Sequence, residues 1–305
     1  MVLMKKVINT IVTSGGGVKG ISYIGAFKKI NEMIMERNIL EKMENFKEEE
    51  CNIPKFDIKC MCCVSVGSIM GLVFILGYTY KEMEEEILSK NFEELTDMKF
   101  KNFINTYGLD SGKKIINWIE TLLIKRGYSK DITFKQLYAK TGIHYKVIAT
   151  NLNKYSSTMF DYINTPKLRV VSAIRMSIGI PFIFGMKRYN GDIHVDGGII
   201  NNYPIKLFED NLDNVLGLKL INNGDCLNSD MNVEINDLNS YMYNVMNCFI
   251  VQKERGTTLF HEYKEHTVCI LTEHITHMIN FSLTIDEKRD MIESGYKAMC
   301  EYFSM

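Results

Sequence analysis

The sequence predicts an α/β protein built on a mostly parallel sheet, and three observations carry that reading. Residues 7–12 form an apolar run that passes through Ser14-Gly15-Gly16-Gly17 into a helix-periodic segment from Ile21 to about Arg37. Residues 56–64 form a second apolar run that passes through Ser65 into helix-periodic sequence up to Phe74. Strand rhythm returns at 145–152 and again at 215–221. Successive strand, turn and helix units are the repeat of a parallel sheet, because parallel neighbours need a crossover connection. With 305 residues and 46% hydrophobic content, the chain can bury a sizeable core as one α/β domain, with or without an inserted helical cap.

Charge and targeting signals narrow the class further. Lys and Arg number 36 against 37 for Asp and Glu, a formal net charge of -1, so no global field draws nucleic acid or an anionic membrane. Any membrane contact must be local. The first ten residues lack a long apolar core and a small-residue cleavage site, so no secretion signal is expected. The longest apolar run, 69–78, is about half of the roughly 20 residues a spanning helix needs, so no transmembrane segment is expected. These points predict a soluble, cytoplasmic protein, peripheral to membranes at most. Five alanines against abundant Lys, Ile and Asn point to an AT-rich genome, viral or parasitic, in which case the host cytoplasm is the compartment. Of the eight cysteines, Cys60, Cys62 and Cys63 crowd one strand, where adjacent side chains point to opposite faces, so free thiols are expected. No second Cys or His pair completes a metal site, and no metal is expected.

The elements follow in order. The glycine loop, Gly15 to Gly20, offers several backbone N–H groups at a helix N-terminus and so suits negative charge. A dinucleotide loop lacks its acidic partner, and a phosphate loop lacks its Lys-Ser/Thr pair and spacing. Residues 41–50 read as a solvated, charged linker. A Glu-rich helix, the 99–107 segment and a helical stretch from 108 to about 130 carrying Trp118 make residues 80–140 a helical excursion or cap. A turn at Asn153-Lys154 leads to a strand at 158–162, then a helix at 168–177 and an apolar loop at 178–186. That loop is either core, a wall of an acyl pocket or a lipid contact. Residues 193–196 are a strand ending at Asp196, before the Gly197-Gly198 turn and a new helix. A helical region at about 238–253, a strand at 268–271 and a helix from Asp286 to about Phe303 close the chain. His274 and His277 lack a third metal ligand.

Three of these stretches carry complementary chemistry. Ser65 sits at a strand-to-helix turn, where it serves either as an exposed nucleophile or as an ordinary N-cap. The nucleophile pattern is Gly-x-Ser-x-Gly; Gly67 fills its second glycine, and Cys63 stands at the first. Asp196, at a strand end, is either a site carboxylate or a turn aspartate bonded to its own backbone. Together with the amides of Gly15, Gly16, Gly17 and Val18 as an oxyanion hole, Ser65 as nucleophile and Asp196 as base supply what acyl transfer requires. His194, two residues before Asp196 and on the same strand face, is the rival base.

On these motifs the chain resembles the patatin-like phospholipases. Gly15-Gly16-Gly17-Val18-Lys19-Gly20 matches the family's oxyanion motif, Cys63-Val64-Ser65-Val66-Gly67 its nucleophile motif, and Asp196-Gly197-Gly198 its aspartate motif. Ala149-Thr150-Asn151-Leu152 and Ile180-Pro181-Phe182 extend the similarity, which covers about residues 7–222. The resemblance implies a three-layer αβα sandwich, with 1–222 as the catalytic core and 223–305 completing the same domain. It implies a Ser-Asp dyad without a catalytic histidine, hydrolysis of fatty acyl esters of phospholipids or related lipids at a membrane or micelle surface, and no cofactor. The competing readings are a catalytically weak or inactive lipid-binding or scaffold protein of the same fold, and nucleotide binding by the glycine loop. The sequence does not set the oligomeric state.

Overall fold

A computed structural model describes residues 7–221, 262–272 and 281–304, together with 235, 241 and 245. The helix read at about 238–253, apart from 241 and 245, and the His274/His277 pair lie outside the described residues.

The first two units form as the apolar runs dictate. Strand β1 (Val7–Thr13) runs through a 3-10 turn (Gly17–Ile21) into α1 (Ser22–Leu40), and β2 (Lys55–Val64) turns at Ser65 directly into α2 (Val66–Ile75). The excursion then contributes α3 (Tyr80–Ser89), α4 (Phe100–Thr106), a short strand β3 (Gly108–Asp110), α5 (Lys113–Lys125) and α6 (Phe134–Thr141). Capping boxes fix two of these helix starts: Thr79 with Glu82 for α3, and Thr133 with Gln136 for α6. Next come β4 (His144–Asn151), β5 (Ser156–Phe160), α7 (Val170–Ser177), β6 (Phe182–Phe184), β7 (Lys187–Tyr189), β8 (Asp192–Asp196) and α8 (Gly198–Asn201). A kinked 3-10 segment (Pro204–Asn214), β9 (Val215–Ile221), β10 (Thr267–Leu271) and α9 (Ile285–Ser304) complete the described chain.

The central sheet runs β10-β9-β1-β2-β4, all parallel, and continues into β8 and β7, which are antiparallel to their neighbours, while β5 pairs antiparallel with the far edge of β4. Alternation along each strand splits the core between the two faces. Ile11, Met61, Cys63 and Leu216 join the larger core under α1, α2, α7 and α9, whereas Val12, Cys62, Val64 and Val215 face the 3-10 segment through Tyr203 and Ile205. The six cysteines among the described residues are free thiols, and Cys62 and Cys63 point to opposite faces.

Two expectations need correction. The 178–186 stretch is not only loop, because residues 182–184 form β6, which pairs in parallel with β3 as a separate two-stranded sheet. Three-residue strands carry no periodic signature; backbone pairing alone makes them. The 41–50 charge run is not merely solvated either: buried Arg37 of α1 binds both Glu41 and Glu48 and reaches the Ile53 carbonyl. These contacts tie the segment back to the helix, since a buried guanidinium must be paired.

Helices α1 and α9 cross at two glycines. A Cβ on Gly25 would collide with the Ile292 carbonyl, and one on Gly295 with the Ser22 carbonyl. Gly25→Ala therefore destabilises the protein by about 2 kcal/mol or more through overpacking, where an open helical site would gain roughly 1 kcal/mol. The midpoint of denaturant unfolding reads the sign, and a rise would show that the helices do not touch there.

Candidate active site

The sheet register brings the two central residues together. Strand β2 pairs with β4 up to Val64 opposite Ile148 and then ends. Strand β8 arrives antiparallel on the edge of β4 that β2 has left, with Asp196 opposite Ala149. Ser65 and Asp196 thus meet where one strand hands over to the other. Ser65 Oγ donates to Asp196 Oδ2 at 2.5 Å, and the other carboxylate oxygen accepts the Gly198 N–H at 2.8 Å. The serine hydroxyl makes no cap bond to α2, so it is spent on the carboxylate and not on the helix.

The turn that presents Ser65 is strained. Its backbone sits at φ +50° and ψ -127°, a region that costs a non-glycine residue about 1–3 kcal/mol. Three hydrogen bonds hold it there. The Ser65 N–H donates to Ser177 Oγ at 2.8 Å, Ser177 Oγ donates to the Ile148 carbonyl at 2.6 Å, and Ser68 Oγ donates to the Ser65 carbonyl at 2.5 Å.

Burial sets the electrostatics. Ser65 is 5% and Asp196 6% exposed. Desolvation pushes the Asp196 carboxyl from its ordinary 3.8 up to about 6, against the opposing hydrogen bonds from Ser65 and the Gly198 N–H. His194 is buried two residues away, but its Nδ1 lies 3.2 Å from the Asp192 carbonyl and its ring packs on Phe160 and Tyr189. Desolvation also lowers its pKa. It makes no hydrogen bond to Ser65 or Asp196.

The glycine loop stands over the same point. Gly15 is so close that an added Cβ would lie 3.0 Å from Ser65 Cβ, and Gly20 packs against Val66 with no room for a side chain. Gly17 takes φ +58° at the start of the 3-10 turn. Gly15 needs a correction, because its N–H donates to the Asn202 carbonyl at 3.2 Å and is not available to a ligand. The N–H groups of Gly16, Gly17 and Val18 have no hydrogen-bond acceptor among the described residues. Gly17 and Val18 line the same cavity as Ser65.

An apolar cavity of about 90 Å³ opens above Ser65. Its floor is Gly17, Val18 and Ser65, and its walls include Ile69 and Met70 of α2, Ile115 and Trp118 of α5, and Phe184 of β6. The excursion thus roofs the site. Trp118 is fixed by an Nε1–H bond of 2.8 Å to Glu86 on α3, which also holds Lys125 of α5 at 2.6 Å. A serine hydroxyl beside a buried carboxylate, under free amides and an apolar vault, has the parts for attack on an acyl carbonyl.

The family model for patatin-like phospholipase matches residues 11–209. The chain belongs to the patatin-like phospholipase family. Among curated proteins it is 25% identical over 96% of its length, and 92% of the other, to the uncharacterized protein R571 of Acanthamoeba polyphaga mimivirus. It is 29% identical to the probable lipid hydrolase 463L of Invertebrate iridescent virus 6 over 67% of this chain and 64% of that one. Among solved structures the fold is similar to VipD from Legionella pneumophila, with a TM-score of 0.55 and 16% identity over 97% of this chain and 67% of that one. It is also similar to the type III effector protein ExoU, with a TM-score of 0.51 and 11% identity over 97% of this chain and about half, 53%, of that one.

Sequence reasoning missed Ser177 and the part played by Cys63 in this patatin-like fold. Ser177 carries no motif of its own, and only the backbone geometry reveals it as the acceptor for the Ser65 N–H. Cys63 fits in place of the motif's first glycine because its fully buried sulfur points at Gly71 of α2, where an added Cβ would lie 2.5 Å from Sγ. Gly71→Ala alone is expected to lose about 2 kcal/mol of stability through this clash, and Cys63→Gly in the same chain to restore about half of it. A double-mutant cycle by denaturant unfolding measures the coupling, and strictly additive effects would remove the pairing.

Proposed function

We propose that the protein hydrolyses fatty acyl ester bonds of phospholipids or related lipids through a Ser65 acyl-enzyme. The observation that carries the proposal is the 2.5 Å Ser65–Asp196 hydrogen bond at the floor of an apolar cavity. Family membership and the viral probable lipid hydrolase support lipid hydrolase activity.

The acyl chain lies among Ile69, Met70, Ile115 and Trp118, which sets its carbonyl over Ser65. As Ser65 Oγ bonds to the carbonyl carbon, its proton passes to Asp196 Oδ2 and the carbonyl oxygen takes the negative charge. The N–H groups of Gly16, Gly17 and Val18 receive that charge in a space from which the apolar walls exclude water, where such donors are worth most. Collapse breaks the ester C–O bond, and the departing alcohol takes the proton from Asp196. Water then attacks the acyl-serine, Asp196 accepts its proton, and the fatty acid leaves with Ser65 restored by that proton.

A carboxylate is a weak partner for a hydroxyl, and burial narrows the gap by raising Asp196 to about 6. A second reading, lipid binding without turnover in the same cavity, starts from the departure at Cys63, which the contact of its sulfur with Gly71 accommodates. Covalent chemistry separates the two. A fluorophosphonate labels the wild type and not Ser65→Ala, and Ser65→Ala and Asp196→Ala each lower ester hydrolysis by about 1000-fold or more, while His194→Ala keeps most of it. Binding of acyl probes with neither labelling nor product would leave only the second reading.

The pH profile carries its own sign. Asp196 works as a base only when ionised, so kcat/KM is expected to rise about tenfold per pH unit below about pH 6 and to level off above it. A profile flat between pH 4 and 7 would exclude Asp196 as the titrating base.

A further inference from the structure

A second cavity lies on the other side of α5 from the apolar one, between α5 and α7. It encloses about 340 Å³, within the range of small-molecule sites. Unlike that of the first, its lining carries basic side chains among its apolar ones. Lys113 of α5, Arg169 and Arg175 of α7 and its cap, and Lys187 and Arg188 of β7 line it, and no carboxylate does.

The charges in it are largely uncompensated. Arg169 is paired with Glu120 and Asp131. Lys113, Arg175, Lys187 and Arg188 have no carboxylate within ion-pair distance among the described residues. Arg175 is only 4% exposed, lies over the Phe184 ring and donates through Nη2 to the carbonyls of Gly185 at 2.7 Å and Ser111 at 3.2 Å, while its Nε and Nη1 are buried against Gly112 and Gly179 without a hydrogen-bond partner, so its charge acts on the cavity without direct contact from those two atoms. Asp110 and Asp97 act on it only at longer range. Lys187 has its pKa lowered by desolvation and then by repulsion from Arg175 and Lys113, so the three cations feel one another. Clustering cations around a concave space costs free energy that a bound anion recovers.

The backbone adds to the same field. The amino-terminal turns of both α5 and α7 border the cavity, through Lys113 and Ile116 on one and Val171 and Ser172 on the other, although the Gly112, Lys113, Val170 and Ser172 N–H groups are spent on Asp110, Ser111, Ile132 and Arg169. Helix N-termini favour negative charge. The chain as a whole carries a formal net charge of -1, so this concentration is local.

The geometry points to the cavity lined by Lys113, Arg175, Lys187 and Arg188 as a binding site for a phosphate group, separate from the Ser65 site. The shape and charge select the phosphate, and two sources present it: a soluble phosphomonoester and the head group of an anionic lipid. Helix α7 also supplies Ser177 to the nucleophile turn, so an anion at this cavity sits on the element that orients Ser65. The proposal does not rest on ester hydrolysis, and its test reads binding.

Titration calorimetry of the full chain with inorganic phosphate is expected to show saturable binding. Lys113→Gln and Lys187→Gln each weaken it about tenfold, while Lys114→Gln, exposed on α5 but outside the cavity, leaves it unchanged. Both replaced lysines are exposed, and equal thermal unfolding of the variants checks that the fold is retained. The absence of saturation, or equal affinities in Lys187→Gln and Lys114→Gln, overturns the proposal. Two further arms identify the source. Binding of sn-glycerol 3-phosphate that Lys187→Gln weakens supports the site with a soluble ester. Flotation of the Ser65→Ala chain with phosphatidic acid vesicles but not phosphatidylcholine vesicles, lost in Lys187→Gln, supports it with a lipid head group.

Discussion

The structure depends on one edge of β4 being shared by two strands. Strand β2 leaves that edge after Val64, and β8 takes it up with Asp196, so a residue pair 131 positions apart in sequence shares a single hydrogen bond. The handover requires close packing at the seam. A Cβ on Gly197 would strike the Ile148 carbonyl and come within 2.9 Å of a Val64 methyl. The glycine after Asp196 is therefore demanded by the approach of the two strands. The chain direction matters as well. Because β8 runs antiparallel to β4, its carboxyl end points back at the carboxyl end of β2, which is where open α/β sheets place their ligands.

Holding this pair costs stability in two places. Ser65 keeps a backbone conformation that few residues adopt, and Asp196 is buried with its carboxyl raised from 3.8 to about 6. The second cost has a definite sign. Between about pH 4 and pH 6 the unfolded carboxyl is ionised while the folded one still holds its proton, so the contribution of Asp196 to stability falls as pH rises through that window. Strain of this kind persists only where the surroundings over-determine it. Here they do, through Ser177, Ser68 and the Gly198 N–H, each committed to one atom of the pair.

Much of this was legible from the sequence, and the reasons for the exceptions are physical. β1, β2, β4 and β9 are apolar runs buried in a sheet, and such runs announce themselves. The turns at Gly15–Gly20 and Ser65 stand out because small residues must occupy them, and Asp196 because a strand ends on it before two glycines. The short strands β3 and β6 did not, since three residues hold no period. The Arg37 pairing with Glu41 and Glu48 was hidden because a charge run looks solvated until a buried partner is known. Nor could the sequence tell which amides of the glycine loop stay free. Gly15 loses its N–H to Asn202, a residue 187 positions later that only the fold brings near.

The excursion between α2 and β4 shows why the site needs more than its motifs. Without α3 and α5 the Ser65 hydroxyl and the free amides would face water, where a charged oxygen gains little from three N–H donors over the solvent it already has. Trp118 and Ile115 on one face of α5 close the vault, and the Glu86 bonds to Trp118 and Lys125 fix the helix that carries them. The opposite face of α5 lines the cationic cavity with Lys113, Ile116 and Asn117. A single helix therefore separates an apolar space above Ser65 from one whose lining carries basic side chains. That division follows from the helical period, because residues three apart share a face while their immediate neighbours do not. Ile115 and Trp118 look one way, Lys113 and Ile116 the other. The same 13 residues thus wall two spaces of different chemistry.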